Sequence, residues 1–138
     1  MHFEVTLRCN AGCGFCDYWK TDPAARATEL KSFADAARYF NPMLVTFTGG
    51  EPTLRRDLEC LIAEVDRAIS FKYLTLITHG AMLSGDRAQS LWDAGVNQFN
   101  ISLDYLDERH DRARGIPGLS ARILEAIPGM RQRGIDNI

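Results

Sequence analysis

With 138 residues, 46% of them hydrophobic and 25% charged, and a formal net charge of −2, the chain reads as one soluble globular domain that buries roughly 70% of its unfolded surface. That near-neutral balance excludes broad electrostatic attraction to nucleic acid or to an anionic membrane. No apolar run approaches the roughly 18 residues of a membrane span, and MHFEVTLRC has neither the basic head nor the apolar stretch of an export signal, so a cytoplasmic chain is expected.

The elements follow in a regular alternation. Phe3 to Leu7 alternates like a strand, and Leu30, Phe33, Ala34, Ala37 and Phe40 recur at helical spacing behind Thr28, a candidate N-cap. MLVTFTGG reads as a second strand closed by glycines, and Leu58, Leu61, Ile62, Val65 and Ile69 share one face of a second helix. YLTLITHG is a third strand, Ser84 to Ala94 a third helix stopped by Gly95, and QFNISLD a fourth strand. Leu119 to Arg133 is helical in pattern until Pro128-Gly129, a pair expected to kink or end it, and GIDNI looks like a fifth strand starting. DPAARA and DERHDRARG are the expected exposed loops.

Such alternation implies an α/β fold with a parallel sheet and right-handed crossovers, either doubly wound or curled toward a barrel. An eight-fold barrel takes about 250 residues, so four βα units and the start of a fifth suggest part of a longer protein. In either arrangement ligands gather at the carboxyl ends of the strands. The candidate motifs converge there: RCNAGCGFCDYW follows strand one, TFTGGEP ends strand two, ITHG strand three and ISLD strand four.

Cys9, Cys13 and Cys16 stand at spacing C-x3-C-x2-C. In a reducing compartment clustered cysteines hold metal more often than they pair, and such a loop can wrap one corner of a cubane cluster, taking three of its four irons. An open position marks a catalytic metal site, whereas a structural zinc normally takes four ligands. The remaining thiol, Cys60, falls opposite the apolar stripe of helix two. A zinc site and a set of unliganded core cysteines are the competing readings. Gly12 and Gly14 ease the path of the loop around Cys13. Gly49 and Gly50 let a ligand approach the backbone, Glu51 can accept from an ammonium, and Pro52 sets the exit from the turn.

CNAGCGFC, with Phe15 just before its last cysteine, resembles the cluster loop of the radical S-adenosylmethionine (SAM) superfamily, and TGGEP resembles its SAM-binding turn. TLITHG and GVNQFNISLD are similar to the third- and fourth-strand regions of the branch that includes peptide-modifying and cofactor-maturing members. The resemblance covers nearly the whole chain. It implies a radical SAM core domain over residues 1–138, the N-terminal part of a six-unit, TIM-like partial barrel. It further implies a 4Fe-4S cluster on Cys9, Cys13 and Cys16, with the amino and carboxylate groups of SAM on the fourth iron. Phe15 would lie near the adenine, Gly49, Gly50 and Glu51 would receive the SAM amino group, and Ser102 and Asp104 would contact ribose or carboxylate. Reductive cleavage of SAM would give a 5′-deoxyadenosyl radical that abstracts hydrogen from a substrate, with a flavodoxin or ferredoxin supplying the electron. A peptide, a cofactor precursor and a lipid intermediate all fit as substrate.

Other residues keep blander readings. His79 stands where the family often shows asparagine and reads as a surface or loop histidine, and His110 and Arg114 read equally well as a solvated charge cluster. Tyr18 and Trp19 read as aromatic cover for the site. Asp107, Glu108 and Asp111 have no evident acid-base partner. Two further functions compete with the enzyme: a non-catalytic iron-sulfur or zinc module, and a thiol-disulfide oxidoreductase using Cys13 and Cys16, which leaves GGEP unexplained.

Overall fold

The computed structural model describes residues 1–21 and 30–138, with the side chains of Leu30 and Lys31 also outside the description. Thr28 and the DPAARA loop lie outside the described residues. The elements run β1 (His2–Thr6), α1 (Leu30–Phe40), β2 (Leu44–Gly49), α2 (Leu58–Ala68), β3 (Tyr73–Thr78), α3 (Gly85–Asp93), β4 (Gln98–Ile101), α4 (Glu108–Arg114) and α5 (Leu119–Gln132). The four strands form one parallel sheet in the order β1-β2-β3-β4, which is not closed into a barrel. Sequential order and a helix after each strand are what right-handed βα units produce.

The register explains why the two faces of the sheet differ. Phe3 pairs with Phe47, Val45 with Leu74 and Leu76 with Phe99, which puts these side chains on one face, all buried. The apolar stripe of α2 packs there through Leu58, Leu61, Ile62 and Val65, together with Leu83, Leu91 and Met130. Fully burying such a side chain contributes about 1.5–3 kcal/mol, so this face is the main source of stability. The opposite face carries Glu4, Thr46, Thr48, Thr75, Gln98 and Asn100, with Thr75 Oγ1 donating to Thr46 Oγ1 at 3.0 Å. A period of two therefore sorts one strand set into an apolar, helix-covered face and a polar one.

Four expectations need correction. Phe40 does not face the core: it ends α1, is 64% exposed, and stacks edge-on against Tyr39. DERHDRARG is not a loop but α4, capped by Asp107, whose side chain accepts from Arg109 N, and stopped by Gly115 in the left-handed region (φ 66°). Pro128 neither ends nor splits α5, which is continuous to Gln132. Leu119 and Ile123 before it and Met130 after it are buried, so packing holds the turns on both sides of it, while Leu124, whose carbonyl loses its partner, is exposed. No fifth strand forms at GIDNI. Ile135 is buried and Phe99 N donates to Asn137 O (2.9 Å), a single ladder-type bond beside β4.

Candidate functional site

Cys9, Cys13, Cys16, Phe15, the Gly49–Glu51 turn and Ser102 all line one cavity of about 170 Å³ at the carboxyl end of the sheet. Thr48, Ile77, Thr78 and His79 contribute from β2 and β3, and Arg114 from the end of α4. Of the site residues expected from the sequence, Asp104 alone does not line it.

The glycine turn is packed against the chain itself. Gly49 has φ 129°, and a Cβ on it would lie 2.2 Å from the carbonyl oxygen of Thr6; one on Gly50 would lie 2.2 Å from that of Arg8. Gly50 N donates to Thr6 O and Glu51 N to Arg8 O, both at 2.8 Å. The space freed by the missing side chains is thus filled by the backbone leading into the cysteine loop, not left open for a ligand. Gly12 and Gly14, in contrast, have ordinary negative φ. Gly12 matters as a close neighbour: its N–H donates to Arg114 O (2.8 Å), and a Cβ on Gly115 would come within 3.2 Å of its nitrogen.

Glu51 is buried to 1% exposure and surrounded by donors. One oxygen accepts from Thr53 N, Thr53 Oγ1 and Thr78 Oγ1, and the other from His79 N at 2.8 Å. Both oxygens act as acceptors, each toward a fixed backbone N–H. Glu51 therefore organises the turn as well as facing the cavity.

His79 is not a surface residue. It is 5% exposed, with Nε2 2.9 Å from Asn10 Oδ1 and 3.3 Å from Glu51 Oε2. Burial holds its pKa below the ordinary value of 6.5, opposed by Glu51 and reinforced by Arg114 and Arg122.

Nor are His110 and Arg114 a solvated cluster. His110 is fully buried and its Nδ1 accepts from Asp104 N (3.3 Å). Arg114 makes a two-point contact with the Asp104 carboxylate (Nε to Oδ2 2.9 Å, Nη2 to Oδ1 3.1 Å), and its guanidinium lies 5.1 Å from the Phe15 ring centroid. Asp104 thus acts on the cavity through Arg114. Sequence reasoning missed Arg114 as a cavity residue because the i to i+10 pairing with Asp104 appears only when α4 folds back; the helix start at Asp107 and stop at Gly115 were the available signal.

Phe15 stands at the mouth, 68% exposed. Ser102 N continues the β3–β4 ladder to Thr78 O (2.9 Å). Tyr18 lines the cavity and donates to Glu4 (2.7 Å), which with burial pushes its pKa up to about 12, while Trp19 Nε1 donates to Cys13 O (3.1 Å). Both aromatics brace the loop. Cys60 is exposed on α2, away from the site.

The donor set fits an iron-sulfur cluster. All four cysteines are free thiols. Burial, then Glu51, Cys13 and Cys16, push the Cys9 thiol above its ordinary pKa, against the Ala11 N–H that favours the thiolate. Binding iron would draw the protons from the three thiols, because the metal supplies the positive charge that a thiolate needs in these buried surroundings. Among the described residues, no three His, Cys, Asp or Glu side chains converge on one point as ligands of a single ion would. A cubane does not ask for that, since each thiolate binds its own iron.

Known proteins resemble this chain in sequence and in fold. The chain is 34% identical over 142 residues to a GTP 3′,8-cyclase of Erythrobacter litoralis, covering 98% of this chain and 42% of that protein. It is 30% identical over 139 residues to an AdoMet-dependent heme synthase of Oleidesulfovibrio alaskensis, covering 97% and 35%. The chain therefore spans about two fifths of the length of the curated relatives it matches. Among solved structures, BtrN in complex with AdoMet and 2-DOIA superposes with a TM-score of 0.62 at 21% identity over 72% of this chain and 43% of that one, a likeness of fold. The profile of the radical SAM superfamily matches residues 3–138. The chain belongs to the radical SAM superfamily, whose cofactors are a 4Fe-4S cluster and S-adenosylmethionine.

Proposed function

We propose that residues 1–138 are part of the core of a radical SAM enzyme, with Cys9, Cys13 and Cys16 as cluster ligands and the Gly49–Glu51 turn, Phe15 and Ser102 as SAM contacts. The observation that carries this reading is the convergence of these residues, from three separate strand ends, on one cavity. Cys9, Cys13 and Cys16 would hold the cluster, which when bound would supply the one electron for reductive cleavage of SAM and so the radical chemistry that takes hydrogen from a substrate.

The protein's part is holding and seclusion. Main-chain carbonyls of the glycine turn and the Glu51 carboxylate offer acceptors to the SAM ammonium, and Arg114, held by Asp104, presents a guanidinium suited to the SAM carboxylate. Asp104 is therefore read as the residue that aims Arg114 rather than as a direct ligand. Phe15 offers an aromatic face for the adenine at the mouth of the cavity. An unselective radical requires one C–H bond to be held in place and water kept out, so positioning does more than acid-base work.

The relatives' names, a GTP cyclase and a heme synthase, favour a small cofactor-type precursor over a peptide or a lipid as substrate. A flavodoxin or ferredoxin would deliver the electron. No helix among the described residues is long and apolar enough to cross a membrane. Free cysteines suit the reducing cytoplasm in which we place the protein.

Anaerobic reconstitution with iron and sulfide, followed by electron paramagnetic resonance with and without SAM, tests the reading. A cubane signal that SAM shifts and Cys13→Ala abolishes is expected. A cluster indifferent to SAM would instead support a non-catalytic iron-sulfur module.

A further inference from the structure

The imidazole of His79 occupies an unusual junction. Ala81 N–H donates to its Nδ1 at 3.1 Å. A backbone amide can only donate, so Nδ1 bears no proton and the neutral ring carries its proton on Nε2. That N–H faces two acceptors, Asn10 Oδ1 at 2.9 Å and Glu51 Oε2 at 3.3 Å. Asn10 follows Cys9 in the cysteine loop, whereas Glu51 belongs to the glycine turn. The backbone bonds between these two segments stop at Arg8. Beyond Cys9, the stretch toward Cys13 is tied to α4 through Gly12 N and Arg114 O, and to the strand ends through Asn10.

We propose that His79 is a positioning residue whose Nε2–H latches Asn10 to the Glu51 turn and so sets where the Cys9–Cys13 span stands over the SAM-binding turn. The inference rests on reading the three-cysteine loop as the cluster loop. Geometry separates its candidate replacements. Glutamine can place an amide N–H where Nε2 stands, so it preserves the donor to Asn10. Asparagine reaches only the Nδ1 position and leaves Asn10 without its donor. Phenylalanine fills the space with no donor at all. Asn10 is exposed, so Asn10→Ala removes the other end of the latch without threatening the core.

Two readouts on the whole protein decide the matter. In the cluster-free protein, alkylation of Cys9 is timed against exposed Cys60 as internal reference. His79→Asn, His79→Phe and Asn10→Ala should each raise the relative Cys9 rate about 3- to 10-fold, as loss of one hydrogen bond allows, while His79→Gln stays within about twofold of wild type. The double variant His79→Asn/Asn10→Ala should be no faster than either single variant. In the reconstituted protein, the SAM-induced change in the paramagnetic spectrum should weaken in the same order, with His79→Gln restoring it. His79→Phe behaving as wild type, His79→Gln failing like asparagine, or effects that multiply in the double variant would each overturn the latch. If the alkylation order holds but wild type forms no cluster, the cluster reading fails and the latch stands; a normal cluster without that order removes the latch alone.

Discussion

The glycine turn and the cysteine loop face each other across one cavity but are held in opposite ways. In the turn, Glu51 gathers donors from Thr53, Thr78 and His79, and the backbone of Gly49 and Gly50 lies too close to Thr6 and Arg8 for any Cβ. In the loop, no thiol is in a disulfide, the internal bonds are few (Ala11 N–H to Cys9 Sγ, Cys16 N to Cys13 O and Trp19 Nε1 to Cys13 O), and Asn10, Gly12 and Tyr18 tie it to the rest of the chain. The turn is fixed by many buried bonds, whereas the loop is braced chiefly at its edges. Under the proposed reading, the turn is the rigid wall of the site and the loop is the side that would take up the cluster.

Changes to the turn should therefore reach further into the fold than changes to the loop. Gly50→Ala is expected to have the largest effect, since a Cβ 2.2 Å from Arg8 O forces β1 and β2 apart, for a loss of about 3 kcal/mol in denaturant unfolding. A loss under about 0.5 kcal/mol would show that the wall is not rigid. Glu51→Gln keeps the shape but turns an amide NH₂ against the Thr53 or His79 N–H groups, at a cost of about 1–3 kcal/mol by the same measurement. Arg114→Gln leaves the fold intact and weakens SAM binding to the reconstituted protein by about tenfold, from loss of a charge-assisted contact worth about 1.5 kcal/mol. Asp104→Asn should do less, because the guanidinium remains and only its aim is lost.

The pH dependence sharpens the same contrast. His79 is held below its ordinary pKa of 6.5, first by burial. As pH falls through 6.5, the unfolded chain takes up a proton that the native ring refuses, so the stabilisation present above 6.5 is lost on acidification toward the depressed value. His79→Gln should flatten that part of the stability curve, whereas an unchanged slope would place the titration elsewhere. The smallest effect is expected at Cys60→Ser, exposed on α2, with stability within about 0.5 kcal/mol and an unchanged cluster yield.

Much of this was legible from the sequence because the signals are local. The strands and the first three helices follow from periodicity, with Ser84 capping α3 and Gly95, at φ 120°, ending it. The three cysteines, the glycine turn and Ser102 could be assigned to strand ends, and parallel topology alone then carries strand ends to one side. The departures lie where burial, rather than apolar periodicity, decides the outcome. Pro128 stays helical because Ile123 and Met130 are both buried, and α4 was hidden because His110 is its one buried side chain and apolar periodicity had nothing to register.

By itself, the sequence determined the α/β alternation, the metal-type cysteine spacing and the family, since each rests on residue types a few positions apart. Only the tertiary structure decided that the Gly49-Gly50 pair accommodates the chain's own backbone, that Asp104 faces Arg114 rather than the cavity, and that His79 joins two motifs. Those facts depend on separations of 10 to 69 residues being closed to hydrogen-bond distance. Such closure comes from packing the sheet and its helices, which local pattern does not encode.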